Sequence, residues 1–178
     1  MTQRKILVQF DGSNFYNKVK AVAPKVHLTK FDYINFAKFA ASSKKVDCCY
    51  YVGEIRKFPK NEKSKTLYAN QQSLFLNLRK QNITIKLGYL LKDGQSFHEK
   101  GVDVQIAVDL VRGAIKNEYS HFIIASSDTD LIPAILTAKQ EGKEVTYLAF
   151  ENFISRAMAA NCSSYKIIKK QDILKFSH

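Results

Sequence analysis

Short apolar runs separated by segments of helical period constrain this chain more than any other feature. Residues 5–10, 46–52, 83–89, 121–125 and 144–149 are runs rich in Ile, Val, Tyr and Phe, and 165–168 offers a sixth. Between them, apolar side chains recur at helical spacing over 31–41, 65–81, 102–115, 130–140 and 152–160. Val102, Ile106, Ala107, Leu110, Val111 and Ala114 form one such stripe. Apolar runs about five residues long suit the interior of a parallel sheet. Strands alternating with helices cover that sheet on both faces, through right-handed crossovers. The expected class is therefore α/β with a mainly parallel sheet, and the length fits one domain over residues 1–178. No repeat or low-complexity tract interrupts it.

Several classes fall away at once. No apolar run approaches the roughly 18–20 residues that span a bilayer. The first residues read as a strand and lack a signal peptide's apolar stretch and cleavage site, so a cytoplasmic protein is expected. Cys48, Cys49 and Cys162 are odd in number and lack a C-x-x-C spacing, so they read as reduced, mostly buried thiols rather than a zinc site or redox pair.

The acidic residues fall in a pattern. The chain holds only 16 Asp and Glu. Asp11 directly follows the first strand, Asp128 and Asp130 follow the fourth, and Asp103 opens the helix after Lys100-Gly101-Val102. In an open parallel sheet the carboxyl ends of the strands share one edge, where ligands bind. If the first and fourth strands are neighbours, Asp11, Asp128 and Asp130 meet there, and the helix brings Asp103 to the same rim. Clustered carboxylates repel, and a hard cation resolves the conflict. Oxygen ligands without His or Cys favour Mg²⁺ or Mn²⁺, which can polarise a phosphodiester and activate water. Singly, each acid has a structural reading as a turn residue, a helix cap or a dipole partner. Asp109, six positions after Asp103, faces elsewhere and reads as a supporting or surface residue. Asn14 would bond Asp11 or a phosphate, Ser126 and Ser127 would orient ligands or water, and Lys100 would neutralise a phosphate.

Charge fits a polyanionic partner. Lys and Arg number 28, giving a net charge of +12, which favours nucleic acid or, less readily, an acidic membrane surface. A solvated Lys-rich surface is the plain alternative. The segment 56–65 carries Arg56, Lys57, Lys60, Lys63 and Lys65 against Glu62 and reads as a loop gripping phosphates. The segment 91–100 reads as a second polar loop, with His98 in no chemical role. Phe58 and Phe97 could stack on unpaired bases, which favours single-stranded RNA. Phosphate-binding loops, a dinucleotide fingerprint and a nucleophilic-serine elbow are all absent.

Phe10-Asp11-Gly12-Ser13-Asn14, Glu99-Lys100-Gly101-Val102-Asp103-Val104 and Ser126-Ser127-Asp128-Thr129-Asp130-Leu131 resemble the three motifs of the NYN domain, most closely its LabA-like group. The resemblance runs from about residue 6 to 168 and includes a last helix leading to a short edge strand. It implies a Rossmann-like three-layer α/β/α sandwich of the PIN-like kind and a metal-dependent ribonuclease. Asp11, Asp103, Asp128 and Asp130 would then hold Mg²⁺ or Mn²⁺ and carry catalysis. Asn14 matches the polar position after the first acid. Substrate contacts would come from Asn14, Lys100, Ser127, Arg56, Lys57 and Lys60. A non-catalytic RNA-binding or regulatory module of the same fold is the main alternative. A small-ester phosphatase is a weaker one, because Asp11 is not followed by the Asp-x-Asp pattern that reaction expects. The short final strand offers an edge for a homodimer.

Overall fold

A computed structural model describes residues 5–55, 62–93 and 96–177, with only the backbone described at 63, 90–93 and 96–99. Seven strands form one sheet: β1 (Ile6–Asp11), β2 (Asp47–Gly53), β3 (Thr84–Asp93), β4 (Ser96–Lys100), β5 (His121–Ala125), β6 (Glu144–Phe150) and β7 (Ser164–Ile168). Their order is β4-β3-β2-β1-β5-β6-β7. Every neighbouring pair is parallel except β3 with β4. The expected adjacency of the first strand and the strand at 121–125 therefore holds, with Phe10 level with Ala125.

The helices are α1 (Gly12–Val22), α2 (Tyr33–Ala41), α3 (Glu62–Lys80), α4 (Val102–Ile115), α5 (Ile132–Gln140), α6 (Arg156–Asn161) and α7 (Lys170–Leu174). Strand side chains alternate between two cores. Val8, Phe10, Tyr50, Ile123 and Leu148 pack on one face with residues of α1, α2, α3 and α7. Leu7, Tyr51, Phe122, Ile124 and Tyr147 pack on the other with α4, α5 and α6. β1, β5 and β6 read as near-unbroken apolar runs because both their faces are buried, whereas β3 and β7, read from runs of the same kind, leave Leu87, Tyr89, Tyr165 and Ile167 exposed. Phe10 sits at the aromatic centre of the first core. Its ring meets Phe15 edge-on at 5.2 Å and Tyr33 at 5.6 Å between centroids.

Three expectations need correction. The segment 91–100 is not a loop: β3 runs on to Asp93 and β4 returns antiparallel, pairing Asp93 with Ser96 and Tyr89 with Lys100. β2 ends at Gly53, level with Gly88, so the next five residues of β3 project about 16 Å past its end. The loop expected over 56–65 gives way at Glu62 to α3, while 56–61 lies outside the described residues. α7 was not expected, and α1 entered only through the reading of Asp11 as a turn or helix-cap residue, although Phe15, Val19 and Ala23 have helical spacing and are all buried. Among the described residues no helix is long and apolar enough to cross a membrane. Cys48, Cys49 and Cys162 are free, with Cys48 and Cys162 buried. Burial, helped by neighbouring Cys49, pushes the Cys48 thiol up to about 12, so it stays protonated.

Candidate functional site

The site is assembled where β1 and β5 end. Asp11 closes β1 and caps α1, its Oδ1 accepting from the Asn14 backbone N–H at 3.0 Å. Its Oδ2 accepts from the Ser126 hydroxyl at 2.7 Å. Asp11 is only 5% exposed, so both bonds fix the carboxylate in a largely dry setting. The Ser126 hydroxyl also accepts from the Asp128 backbone N–H at 3.1 Å. Ser126 thus ties the two strand ends together. Asp128 in turn caps a 3₁₀ turn, Thr129–Leu131, accepting from the Asp130 N–H at 2.9 Å. The structural reading of these acids as caps and their reading as ligands are compatible: each cap uses one oxygen and aims the carboxylate.

Asp103 reaches the rim from the other side. Gly101 adopts φ +81° between β4 and α4, a conformation that glycine accepts without strain, and the turn places Asp103 in the first turn of α4. Burial pushes the Asp103 carboxyl up, and the charges of Asp128, Asp11 and Asp130 push it further. Four acids from three parts of the chain therefore share one electrostatic field. Among the described residues no group of three or more His, Cys, Asp or Glu side chains is arranged to hold a metal ion. As candidate donors the four acids would suit a hard divalent cation: all offer carboxylate oxygens, and the like charge felt by Asp103 is of the kind a cation relieves.

Asn14 bonds Asp11 as expected, through its backbone N–H at 3.0 Å. Its side chain bonds Ser127 rather than Asp11: the amide donates to the Ser127 hydroxyl at 3.2 Å and accepts from the Ser127 N–H at 3.3 Å. It staples α1 to the β5 exit. Lys100 is exposed at the end of β4, beside Gly101. Arg56, Lys57, Lys60 and Phe58 lie outside the described residues, as do the side chains of Phe97 and His98. Asp109 is a supporting residue and not a surface one. It is 6% exposed and accepts from Tyr51 at 3.1 Å, Arg112 at 2.6 Å and Gln105 at 3.2 Å. Tyr51 also accepts from Gln9 at 2.8 Å, in the middle of β1. This buried polar chain joins β1, β2 and α4. A lone Gln inside an apolar strand was the signal for it in the sequence.

Comparison with known proteins bears on the family and the fold. A family model described as the NYN domain matches residues 5–169. The crystal structure of a protein of unknown function from Vibrio parahaemolyticus superposes with a TM-score of 0.71 at 22% identity, covering 96% of each chain. That likeness shows the fold. A zinc-bound 5′-exonuclease of T5 gives a TM-score of 0.40 at 14% identity, over 74% of this chain and 52% of that one. A T5 flap endonuclease with DNA and metal ions gives 0.42 at 12%, over 88% and 60%. The two phage likenesses are too partial to bear on activity. No curated protein is similar enough to count as a relative.

Proposed function

Because the chain belongs to the NYN domain family, we propose that it is a metal-dependent endoribonuclease of the LabA-like, PIN-like kind. The carrying observation is that Ser126 ties the Asp11 carboxylate to the Asp128 backbone at the shared strand edge, with Asp103, from a different element, pushed up by burial and then by the charges of Asp128, Asp11 and Asp130. A binder of polyanions gains nothing from concentrating negative charge beside its partner. Asp11, Asp103, Asp128 and Asp130 would hold Mg²⁺ or Mn²⁺. Bound there, the cation supplies Lewis-acid polarisation of the phosphodiester and lowers the pKa of water.

The chain's own groups do the rest. Ser126 holds the Asp11 carboxylate in place. Asn14 and Ser127 keep the ends of β1 and β5 at fixed separation, and their outward atoms would position a phosphate. Lys100, with Arg56, Lys57 and Lys60, would draw in the backbone of single-stranded cytoplasmic RNA. The exposed edge of β7 would admit a second copy.

The test is cleavage of end-labelled single-stranded RNA with Mn²⁺, with and without EDTA, by wild type and Asp128→Asn. Wild type should cut only with the metal, and the variant should lose about 10²-fold or more in rate. Equal cutting by the two proteins overturns the assignment. Metal-independent RNA binding without any cutting favours the non-catalytic module.

A further inference from the structure

The acidic rim has a neighbour that the nuclease reading leaves unused. A cavity of about 460 Å³ opens between α1, the 3₁₀ turn Leu28–Lys30 and the first half of α3. Its wall includes Gly12, the residue directly after Asp11. It therefore lies on the α1 side of the same sheet edge whose other side carries Asp103. Its volume is in the range of small-ligand sites.

The lining has a definite chemistry. Tyr16 and Leu67 stand at the mouth, 50% and 44% exposed, an aromatic ring and an aliphatic face left in contact with solvent. Asn17 and Asn70, both exposed, supply amide donors and acceptors. No acidic residue lines the cavity among the described residues. The walls are pinned independently of any ligand. Gln71 donates to Gly53 O and accepts from Ile55 N–H, both at 2.8 Å, holding the exit of β2. Lys20 donates to Pro24 O at 3.0 Å and Val26 O at 2.7 Å, holding the loop after α1. The site is thus preformed, which lowers the ordering cost of binding.

We infer that this cavity is a nucleobase pocket, taking one unpaired base of the strand whose phosphate lies at the acidic rim. The inference rests on the nuclease reading for its position but not for its chemistry. A flat heterocycle is what a half-exposed tyrosine ring stacks on. The amides of Asn17 and Asn70 offer both donors and acceptors, as the edges of a base do. The pocket would give the protein a base preference at one position beside the phosphate it engages.

Two experiments on the full chain test this. In EDTA, the four nucleoside 5′-monophosphates, inorganic phosphate and single-stranded RNA homopolymers are titrated into wild type, Tyr16→Ala and Asn70→Leu, with amide NMR shifts followed in wild type. Expected are unequal affinities among the bases, little effect of phosphate alone, and shifts concentrated at Gly12, Asn17 and Asn70. Tyr16→Ala should weaken RNA binding about tenfold, and Asn70→Leu should flatten the base preference. Binding by monophosphates but not homopolymers would mark a free nucleotide, and overturn the RNA assignment. Random-sequence RNA is then cut with Mn²⁺ and the new ends sequenced. Base-selective binding without cutting under any metal removes the nuclease reading and leaves the pocket. Cutting with no base preference, unchanged in both variants, removes the pocket and leaves the nuclease.

Discussion

Asp103 illustrates how one residue can be over-determined by its surroundings. A carboxyl whose pKa rises on folding binds its proton more tightly in the folded chain than in the unfolded one. The stability contributed by that proton is present in acid. It is lost as pH rises from the unfolded value through the raised one. At neutral pH the ionised group is a net cost in the absence of a cation. Asp103→Asn is therefore expected to raise Tm at pH 7 in EDTA, with the gain shrinking toward pH 3. Mn²⁺ should raise the Tm of wild type more than that of the variant. Thermal melts over pH with and without Mn²⁺ read both effects, and an unchanged or lower Tm at pH 7 contradicts the shared field. At this scale the placing of the acids was legible in the sequence: Asp11 ends a strand, Asp128 follows one, and Asp103 falls in the first turn of a helix; their service as a metal site is the proposal made above. The staple from Asn14 to Ser127 was not legible, because its partners are 113 residues apart.

Among elements, the β3–β4 hairpin and the start of α4 form one unit. A Cβ at Gly88 would stand 2.5 Å from Val102 Cγ2 and 2.9 Å from the Lys100 carbonyl oxygen. Glycine is required by this close approach of β3 to the segment entering α4. Gly88→Ala should destabilise the fold by about 1–3 kcal/mol, read as a lower denaturant midpoint. It should also slow RNA cleavage, since Val102 precedes Asp103. A wild-type midpoint would show that the contact is not tight. The hairpin was only partly readable: Asp93-Gly94 signals a turn, but no alternating apolar flanks mark the strands beside it. The polar residues around it read as loop because the strands project beyond the sheet and need no apolar alternation. α1 was left undecided for a related reason: Asp11-Gly12 signals a turn as well as a cap, and tertiary packing chose the cap.

For the molecule as a whole, the net charge is +12 although four acids fall toward one rim. Attraction of RNA to a chain of that charge releases counterions, so affinity should fall linearly in log–log salt. With about four phosphates engaged, binding weakens roughly fifty-fold between 50 and 200 mM salt. Fluorescence anisotropy of labelled RNA in EDTA measures the slope, and a slope near zero would remove the basic surface from recognition. Periodicity, the alternation of strand and helix, and the placing of acids at strand ends depend on near neighbours in sequence, and those the chain determines by itself. Strand order is different in kind. It puts β1 between β2 and β5, brings Ser126 to Asp11 across 115 residues, and opens a cavity between α1 and α3. Only the tertiary structure decides these, because they follow from which apolar faces bury each other best, a choice made by the whole core at once.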